Sequence, residues 1–533
     1  MQSYELTVDK FLGHAAKWFG NREIVEAGPG RVVGRASYAR LFERSNRMSG
    51  ALATLGLKFG DRIATLAWNT RHHFEVYYAA MGAGIVCHTL NPRLTPNQLA
   101  AMIGEAGERV LAVSVNLFPL LEKLLPLCAS IDTVIVLDGE VPSAALRLGL
   151  EIWGYEALLE ERGSPLAWGN FDEDAAAGLC YTSGTTGQPK GVLYTHRSNY
   201  LHTLRLLQAD AMAFTRDDSI LVAVPMFHAN GWGLPFAGPA VGAKLVLPGR
   251  QTDGESLANL MRNERVTVAV GIQTVWLGVA DYLERTGGAL PDLDRVIIGG
   301  SSCPETLIRR IEQCLGARVQ TSWGMTELSP LGTISQPRWS AGEVLSSGRP
   351  PIGLDLKLTD AAGNTLPQQR NQLGHLRAKG ASVIERYYCS DADALDDEGY
   401  FGTGDLATID DDGNLTICGR SKDLIKSGGE WINPAEIETI LGRESSVNLV
   451  AVISTPDDKW GERPLLVVQP KQGAEIDAKR LVASLRGKVA DWWIPDRIAL
   501  TSAMPLAASG KIDKNRLRSS LAAGELASEE ISR

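Results

Sequence analysis

Residues 36–58, ASYARLFERSNRMSGALATLGLK, place Leu41, Ser45, Met48, Leu52 and Leu55 at alternating steps of four and three. That period predicts a helix with one buried stripe. DRIATLAW (61–68) is a short apolar run and reads as a buried strand. HHFEVYYAAMGAGIV (72–86) reads as a helix, and RVLAVS (109–114) and DTVIVLD (132–138) as further strands separated by helical stretches. Alternating strands and helices predict α/β units around parallel strands. The alternation recurs over SILVAVPM (219–226), AKLVLPG (243–249), VTVAVG (266–271) and DRVIIGG (294–300). SSCPETLIRRIEQCLG (301–316) carries the marks of a helix start, with Ser302 and Glu305 as a capping box and Pro304 in the first turn. Leu307, Ile308, Ile311 and Leu315 share one face of it.

The texture changes after residue 340. LDLKLTDAAGNTL (354–366) and LATIDDDGNLTICG (406–419) read as β-hairpins, each with a Gly-Asn turn. DDDGN lacks the alternating oxygen ligands and distal Glu of a calcium loop, so it reads as a turn. A small α+β module follows from Arg420 onward. The N-terminal stretch MQSYELTVDKFLGHAAKWFG lacks the basic start and apolar core of a secretory signal. The longest apolar region, VTVAVGIQTVWLGVA, is broken by Gln273 and Thr274 and is too short for a transmembrane span.

A chain of 533 residues exceeds one hydrophobic core, so two or more domains are expected. A net charge of −9 and a pI near 5.6 argue against a nucleic-acid partner but leave room for local lysines to hold small anions. The seven cysteines are odd in number and contain no C-x-x-C pair, which argues against a disulfide framework and fits a reducing cytoplasm.

The stretch YTSGTTGQPKGV (181–192) packs three glycines, five hydroxyls and Lys190 into one short segment. Backbone N–H groups free of bulky side chains can wrap polyphosphate oxygens. It is not a Walker A loop, because Lys190 follows Pro189 and precedes Gly191. On spacing alone, a flexible polar turn remains the alternative.

Other stretches shift that balance. VPMFHANGW (224–232) sets His228 on a loop after a strand, and IGGSSCP (298–304) sets two glycines where a strand meets a helix. TSWGMTEL (321–328), GTGDLATIDDDGNLTICGRSKDLIKSGGEWINPAEIE (402–438) and AASGKIDKNRLR (507–518) follow in order. Together they resemble the adenylate-forming acyl-CoA synthetase superfamily over roughly the whole chain. CYTSGTTGQPKGVLYTHRS, WGMTELSP and KSGGEWI are most similar to its medium- and long-chain fatty acyl branch.

The resemblance implies an α/β protein. Its large N-terminal domain (1–419) would hold α/β subdomains and a β-rich subdomain, with a hinge at 420–422 and a small mobile α+β domain at 423–533. It implies ATP, Mg²⁺ and coenzyme A as the small molecules handled, and a carboxylic acid activated as acyl-AMP before transfer to the thiol. Thr182, Ser183, Gly184, Thr185, Thr186, Gly187 and Lys190 would cradle phosphates, and Glu327 would hold Mg²⁺ with Thr182 nearby. Trp323 would pack on adenine beside Gly300, Ser301 and Ser302, within the nucleotide segment Ser322, Gly324, Met325 and Thr326. The superfamily more often has Tyr in place of Trp323, so a role for a phenolic hydroxyl there is in doubt. Asp405 would take the ribose hydroxyls, and Arg420 the ribose or a phosphate. Lys511 would bridge the α-phosphate and the incoming carboxylate, with His228 beside that carboxylate. Lys426, Gly428, Gly429 and Trp431 would line the thiol channel, and Lys422 matches the hinge.

Trp232 matches a tunnel gate of the long-chain branch, and Asn230, Thr274, Val275 and Trp276 are expected to line the acyl pocket. PMFHANGWGLPF contains no carboxylate to pair a substrate ammonium, and only 22 residues follow Lys511, both of which weigh against an amino-acid-activating domain with a carrier. A medium-chain fatty acid is the leading substrate. An aryl, branched or modified acid is the alternative, and a luciferase-like oxygenase is a third reading from another class. A homodimer is compatible with all three.

Overall fold

A computed structural model describes residues 1–143, 145, 149–182, 189–300, 303, 305–336, 346–428, 430–507 and 511–531. The first sheet runs, edge to edge, Glu151–Gly154, Thr133–Val136, Val110–Val113, Arg62–Leu66, Val86–Thr89, Ala176–Tyr181, Gly191–Thr195. Neighbours are parallel until the last pair. Strands Val110–Val113 and Thr133–Val136 are buried at every position, as a sheet covered on both faces requires.

The second sheet runs Leu331–Ile334, Arg318–Gly324, Arg295–Gly299, Val268–Ile272, Ser219–Val222, Lys244–Leu247, Glu23–Gly28, Arg31–Ser37. Its inner neighbours are parallel and its two edge pairs antiparallel. The apolar runs expected to be parallel strands therefore all appear as such. The helix expected over 36–58 spans Tyr38–Thr54, capped by the Ser37 hydroxyl and burying Leu41, Ser45, Met48 and Leu52. The helix expected over 72–86 stops at Gly82, and Val86 already belongs to a strand. Gly84, at φ +73°, turns the chain there. The helix Glu305–Leu315 forms as expected, but its capping residues Ser302 and Pro304 lie outside the described residues.

A third, antiparallel sheet runs Leu354–Thr359, Gly374–Gly380, Phe401–Ile409, Leu415–Arg420. Its last pair is the hairpin read from the second Gly-Asn turn. The first Gly-Asn turn closes, with Asp360 N–H donating to Asn364 O at 2.9 Å, but no two-stranded ladder follows it. Pro367 has no N–H to offer, and the Gln369 side chain bonds both N–H and C=O of Leu358. Leu354–Thr359 pairs with Gly374–Gly380 instead.

Beyond the short turn Ser421–Asp423, the chain enters a fourth sheet built on the long hairpin Val447–Asp457/Gly461–Pro470. Ile425, Ile437, Val452, Leu466 and Ile498 form a core there. All seven cysteines are free thiols. Among the described residues, no helix is long and apolar enough to cross a membrane.

Candidate active site

A cavity of about 990 Å³ opens at the carboxyl ends of strands from both parallel sheets. Thr89 and Tyr181 come from the first sheet, Ile272 ends a strand of the second, and Val224 and Gly300 stand just beyond two others. Crevices at this end of open α/β sheets are where such folds place ligands. Arg420, Lys422 and Lys511 close the cavity from the other side.

On one wall, Asp405 is nearly inaccessible. Its Oδ2 accepts from Trp323 Nε1 at 2.9 Å, and its Oδ1 pairs with Arg420 Nε at 3.0 Å. Arg420 also donates to Thr403 O at 2.9 Å. Burial raises the Asp405 pKa, while Arg420, the indole N–H and Lys511 pull it back. Trp323 lines the cavity, but its ring edge is committed to Asp405 and its body packs with Leu328, Leu354 and Leu358. A Cβ at Gly332 would lie 2.3 Å from that ring, so Gly332 makes room for it.

On another wall, Glu327 sits in the short turn Thr326–Leu328 and is 8% exposed. Its Oε1 accepts from the Tyr387 hydroxyl at 2.9 Å. Lys190 Nζ stands 4.6 Å from the centre of the same Tyr387 ring. Burial raises the Glu327 pKa, and its hydrogen bonds, Arg420 and Lys190 oppose the rise. Thr182 and Lys190 close the base of the glycine-rich loop: Thr182 N–H donates to Lys190 O at 2.9 Å, and Lys190 N–H to Thr182 Oγ1 at 3.4 Å. Ser183, Gly184, Thr185, Thr186 and Gly187 lie outside the described residues, as do Ser301, Ser302 and Gly429. Ser322, Gly324, Met325 and Thr326, expected to be the nucleotide segment, line the cavity, and Gly300 meets it at φ +85°.

The Lys511 carbonyl accepts from Ala507 N–H at 2.7 Å. Its side chain is open to the cavity and not covered by packing, yet the walls crowd it. That enclosure lowers its pKa, Arg420 lowers it further, and Asp405 and Glu327 raise it. One cavity thus gathers Lys511, Arg420 and Glu327, with Asp405 buried behind its partners Arg420 and Trp323.

The profile described as "AMP-binding enzyme" matches residues 13–388, and that described as "AMP-binding enzyme C-terminal domain" matches residues 436–511. The chain belongs to the AMP-binding enzyme family. It is an acyl-CoA synthetase of the adenylate-forming superfamily. It is 40% identical over 528 residues to a 3-methylmercaptopropionyl-CoA ligase of Ruegeria lacuscaerulensis, spanning 97% of this chain and 98% of that one. It is also 40% identical over 527 residues to a medium-chain-fatty-acid–CoA ligase of Ectopseudomonas oleovorans, spanning 97% and 96%. The fold matches the anthranilate CoA ligase AuaEII, solved with anthranoyl-AMP, at a TM-score of 0.87 and 22% identity over 98% of this chain and 99% of that one.

In this AMP-binding enzyme, His228 and Trp232 also line the cavity. Ala229, Asn230, Gly231, Trp232 and Gly233 all have positive φ, an unbroken left-handed turn. Trp232 lies over Gly299, where a Cβ would come 2.7 Å from Cη2 of the indole. The two glycines read as a strand-to-helix junction therefore also make space for this ring. Other expected acyl-pocket residues stand elsewhere. Among the described residues lining the cavity, Asn230, Thr274, Val275 and Trp276 do not appear. Trp276 is fully buried with Val279, Ala280 and Leu283, because the helix Gln273–Thr286 turns that stripe into the core. Asn230 is buried against Gly178, where a Cβ would lie 2.5 Å from its Oδ1.

Lys426, Gly428 and Trp431 also stand off the cavity, Lys426 and Trp431 facing each other across the strand pair Ile425–Ser427/Glu430–Ile432 of the fourth sheet. Lys426 Nζ lies 5.6 Å from the Trp431 ring, and Gly428, at φ +61°, fits beneath Trp460. Lys422 lines the cavity, next to Asp423, which pairs with Arg518 at 3.0 Å. Sequence reasoning missed Tyr387 and Thr89. Neither lies in a glycine-rich or otherwise distinctive segment, so no compositional signal marks them.

Proposed function

We propose that the acid activated by this acyl-CoA synthetase is a medium-chain fatty acid, held with its carboxylate near His228 and its chain against Trp232. The observation that carries the reading is the cavity itself. It joins a charged arm, with Lys511, Arg420 and Glu327 and with Asp405 paired behind Arg420, to an apolar arm formed by Met102, Leu94, Phe227 and Trp232. An apolar cleft with a few convergent polar groups suits an amphiphilic acid. The similarity to the medium-chain-fatty-acid–CoA ligase supports it. The equal identity to the 3-methylmercaptopropionyl-CoA ligase supports a second reading, a short carboxylate modified by a heteroatom.

In the first half-reaction, a carboxylate oxygen attacks the α-phosphorus of ATP and pyrophosphate leaves. Both reactants are anionic, so fixed cations lower the barrier. In this reading Lys511 bridges the two, Asp405 accepts from the ribose hydroxyls, Arg420 steadies Asp405, and Lys190 meets the terminal phosphates. Glu327 and the Thr182 hydroxyl form a donor set that fits Mg²⁺, which commonly uses one or two carboxylates and completes its shell with phosphate oxygens and water. When bound, the ion neutralises phosphate charge. In the second half-reaction the CoA thiol attacks the acyl carbonyl and AMP leaves. Lys426, Gly428, Gly429 and Trp431 would serve there after the segment 423–533 swings about 420–422. Lys511 in the cavity and Lys426 outside it suit the first step. The seven free thiols fit a reducing cytoplasm, and a homodimer remains part of the proposal.

The test is AMP release with and without CoA across acids of graded length and substitution. A kcat/KM optimum among unbranched medium-chain acids supports the reading. An optimum among short thioether or aryl acids replaces it with the second.

A further inference from the structure

The left-handed turn Ala229–Gly233 is unusual because Ala229 (φ 36°), Asn230 (φ 42°) and Trp232 (φ 55°) are not glycines. L-residues avoid this region, and such backbone persists only where its surroundings hold it. The holding contacts come from the strand that leads into the phosphate loop. Cys180, in Ala176–Tyr181, is 1% exposed. Its Sγ accepts the Asn230 N–H at 3.2 Å and lies 3.2 Å from Thr89 Oγ1. Thr89 in turn donates to Phe227 O at 3.3 Å. A hydroxyl has one proton. With that proton on Phe227, the thiol S–H points to Thr89 and the sulfur lone pair receives Asn230. The chain of bonds is complete and runs one way. Burial pushes the Cys180 thiol up to about 11, so it stays neutral and keeps its proton.

These bonds grip the chain at Phe227 and Asn230, on either side of His228. Gly178, two residues before Cys180, lets Asn230 pack directly on the strand. Phe227, His228, Ala229 and Trp232 all line the cavity, as does Thr89. Just past Cys180, Thr182 anchors the phosphate loop.

We propose that Cys180, acting with Thr89, is a positioning residue for acid recognition, its thiol holding the His228–Trp232 turn in register with the phosphate-loop strand. It touches neither substrate. The inference rests on the reading that this turn faces the acid, and it predicts an effect on acid handling separate from ATP handling. Cys180→Ala leaves the Asn230 N–H buried without an acceptor and frees the turn. Cys180→Ser restores an acceptor and a donor at the same atom. Thr89→Val cuts the same chain of bonds at its second member and serves where Cys180→Ala folds poorly.

The experiment is steady-state pyrophosphate release, with acid and ATP varied separately, for wild type, Cys180→Ala, Cys180→Ser and Thr89→Val. On the best wild-type acid, kcat/KM should fall about tenfold in the Ala and Val variants, the loss appearing in acid KM, with reordered acid preference. The ATP KM should stay within about twofold, and Cys180→Ser should recover most of the loss. Unchanged acid kinetics, equal loss for acid and ATP, or failure of Ser to rescue would each overturn the proposal. The wild-type acid profile alone tests the substrate reading. The variant-to-wild-type ratio, taken on whichever acid the wild type prefers, tests Cys180.

Discussion

Tyr387 donates its hydroxyl proton to Oε1 of Glu327 at 2.9 Å, and its ring carries the Lys190 ammonium 4.6 Å from its centre. One aromatic side chain thus stands at both a carboxylate and a lysine of the site. Glu327 is held above the ordinary carboxylate range by burial, and the Tyr387 bond is one of the contacts opposing that rise. Tyr387→Phe removes the donor and leaves the burial, so the Glu327 pKa should climb further. In the proposed role as Mg²⁺ holder the Glu327 carboxylate acts in its charged form, so activity should be lost as pH falls through that pKa. The acid limb of the adenylation pH profile should therefore move to higher pH, because the lost hydrogen bond favoured the charged carboxylate. Superimposable profiles for wild type and variant would detach Tyr387 from Glu327.

Lys511→Ala should abolish formation of acyl-AMP while sparing conversion of supplied acyl-AMP to thioester. Its charge relieves the crowding of two anions in the first step only. The loss should be at least ~10²-fold, comparable to deleting an oxyanion donor. Enclosure and Arg420 lower the Lys511 pKa. The ammonium is therefore lost at a lower pH than for an ordinary lysine, and adenylation should decline early on the alkaline side. Equal damage to both half-reactions would count against separate roles for Lys511 and Lys426.

Lys422→Pro tests the swing. Proline fixes φ near −65° and cannot follow a rotating backbone. With Lys511 already in the cavity, adenylation should persist while overall thioester formation falls. Single-turnover acyl-AMP formation set beside steady-state thioester output measures this directly. A normal overall rate in a well-folded variant would move the hinge elsewhere.

The parallel strands were legible because a strand buried on both faces has no polar alternation to confuse its reading, as in Val110–Val113. The glycine-rich segment Thr182–Lys190 was singled out by composition, and the closure between its two end residues is the part the structure describes. Pairings across the chain were not. Trp323 and Asp405 are 82 residues apart and Tyr387 and Glu327 are 60 apart, and nothing local to either marks its partner. Trp276 was misplaced for a different reason. It sits in the first turn of its helix, where the stripe of Val279, Ala280 and Leu283 sets the phase, and that stripe faces the core. Cys180 reads as a small core residue, which it is by burial. Its bond to Asn230 depends on a left-handed turn that no residue pattern announces.

Trp232→Ala should alter acid preference and not ATP handling. The indole lines the cavity and rests over Gly299 and Gly300, so truncation opens volume in the wall beside Ile272 and Ser322. Longer or bulkier acids should gain relative to short ones. A pocket methylene is worth about 1–3 kcal/mol, so preference should move roughly ten- to two-hundred-fold per group that the new space admits. Lys190 and Thr182 belong to a separate segment, and the ATP KM should stay near the wild-type value. The measurement is kcat/KM over a graded acid series in both proteins, with folding checked by circular dichroism. A uniform fall without reordering would reduce Trp232 to packing. A raised ATP KM with the acid ranking intact would place the ring on the nucleotide side. Substituting Gly299 by Ala would press a Cβ 2.7 Å from Cη2 of the indole and 2.6 Å from Oγ of Ser322, crowding the indole toward the cavity and Ser322 with it. That variant should favour shorter acids, opposite in sign to Trp232→Ala.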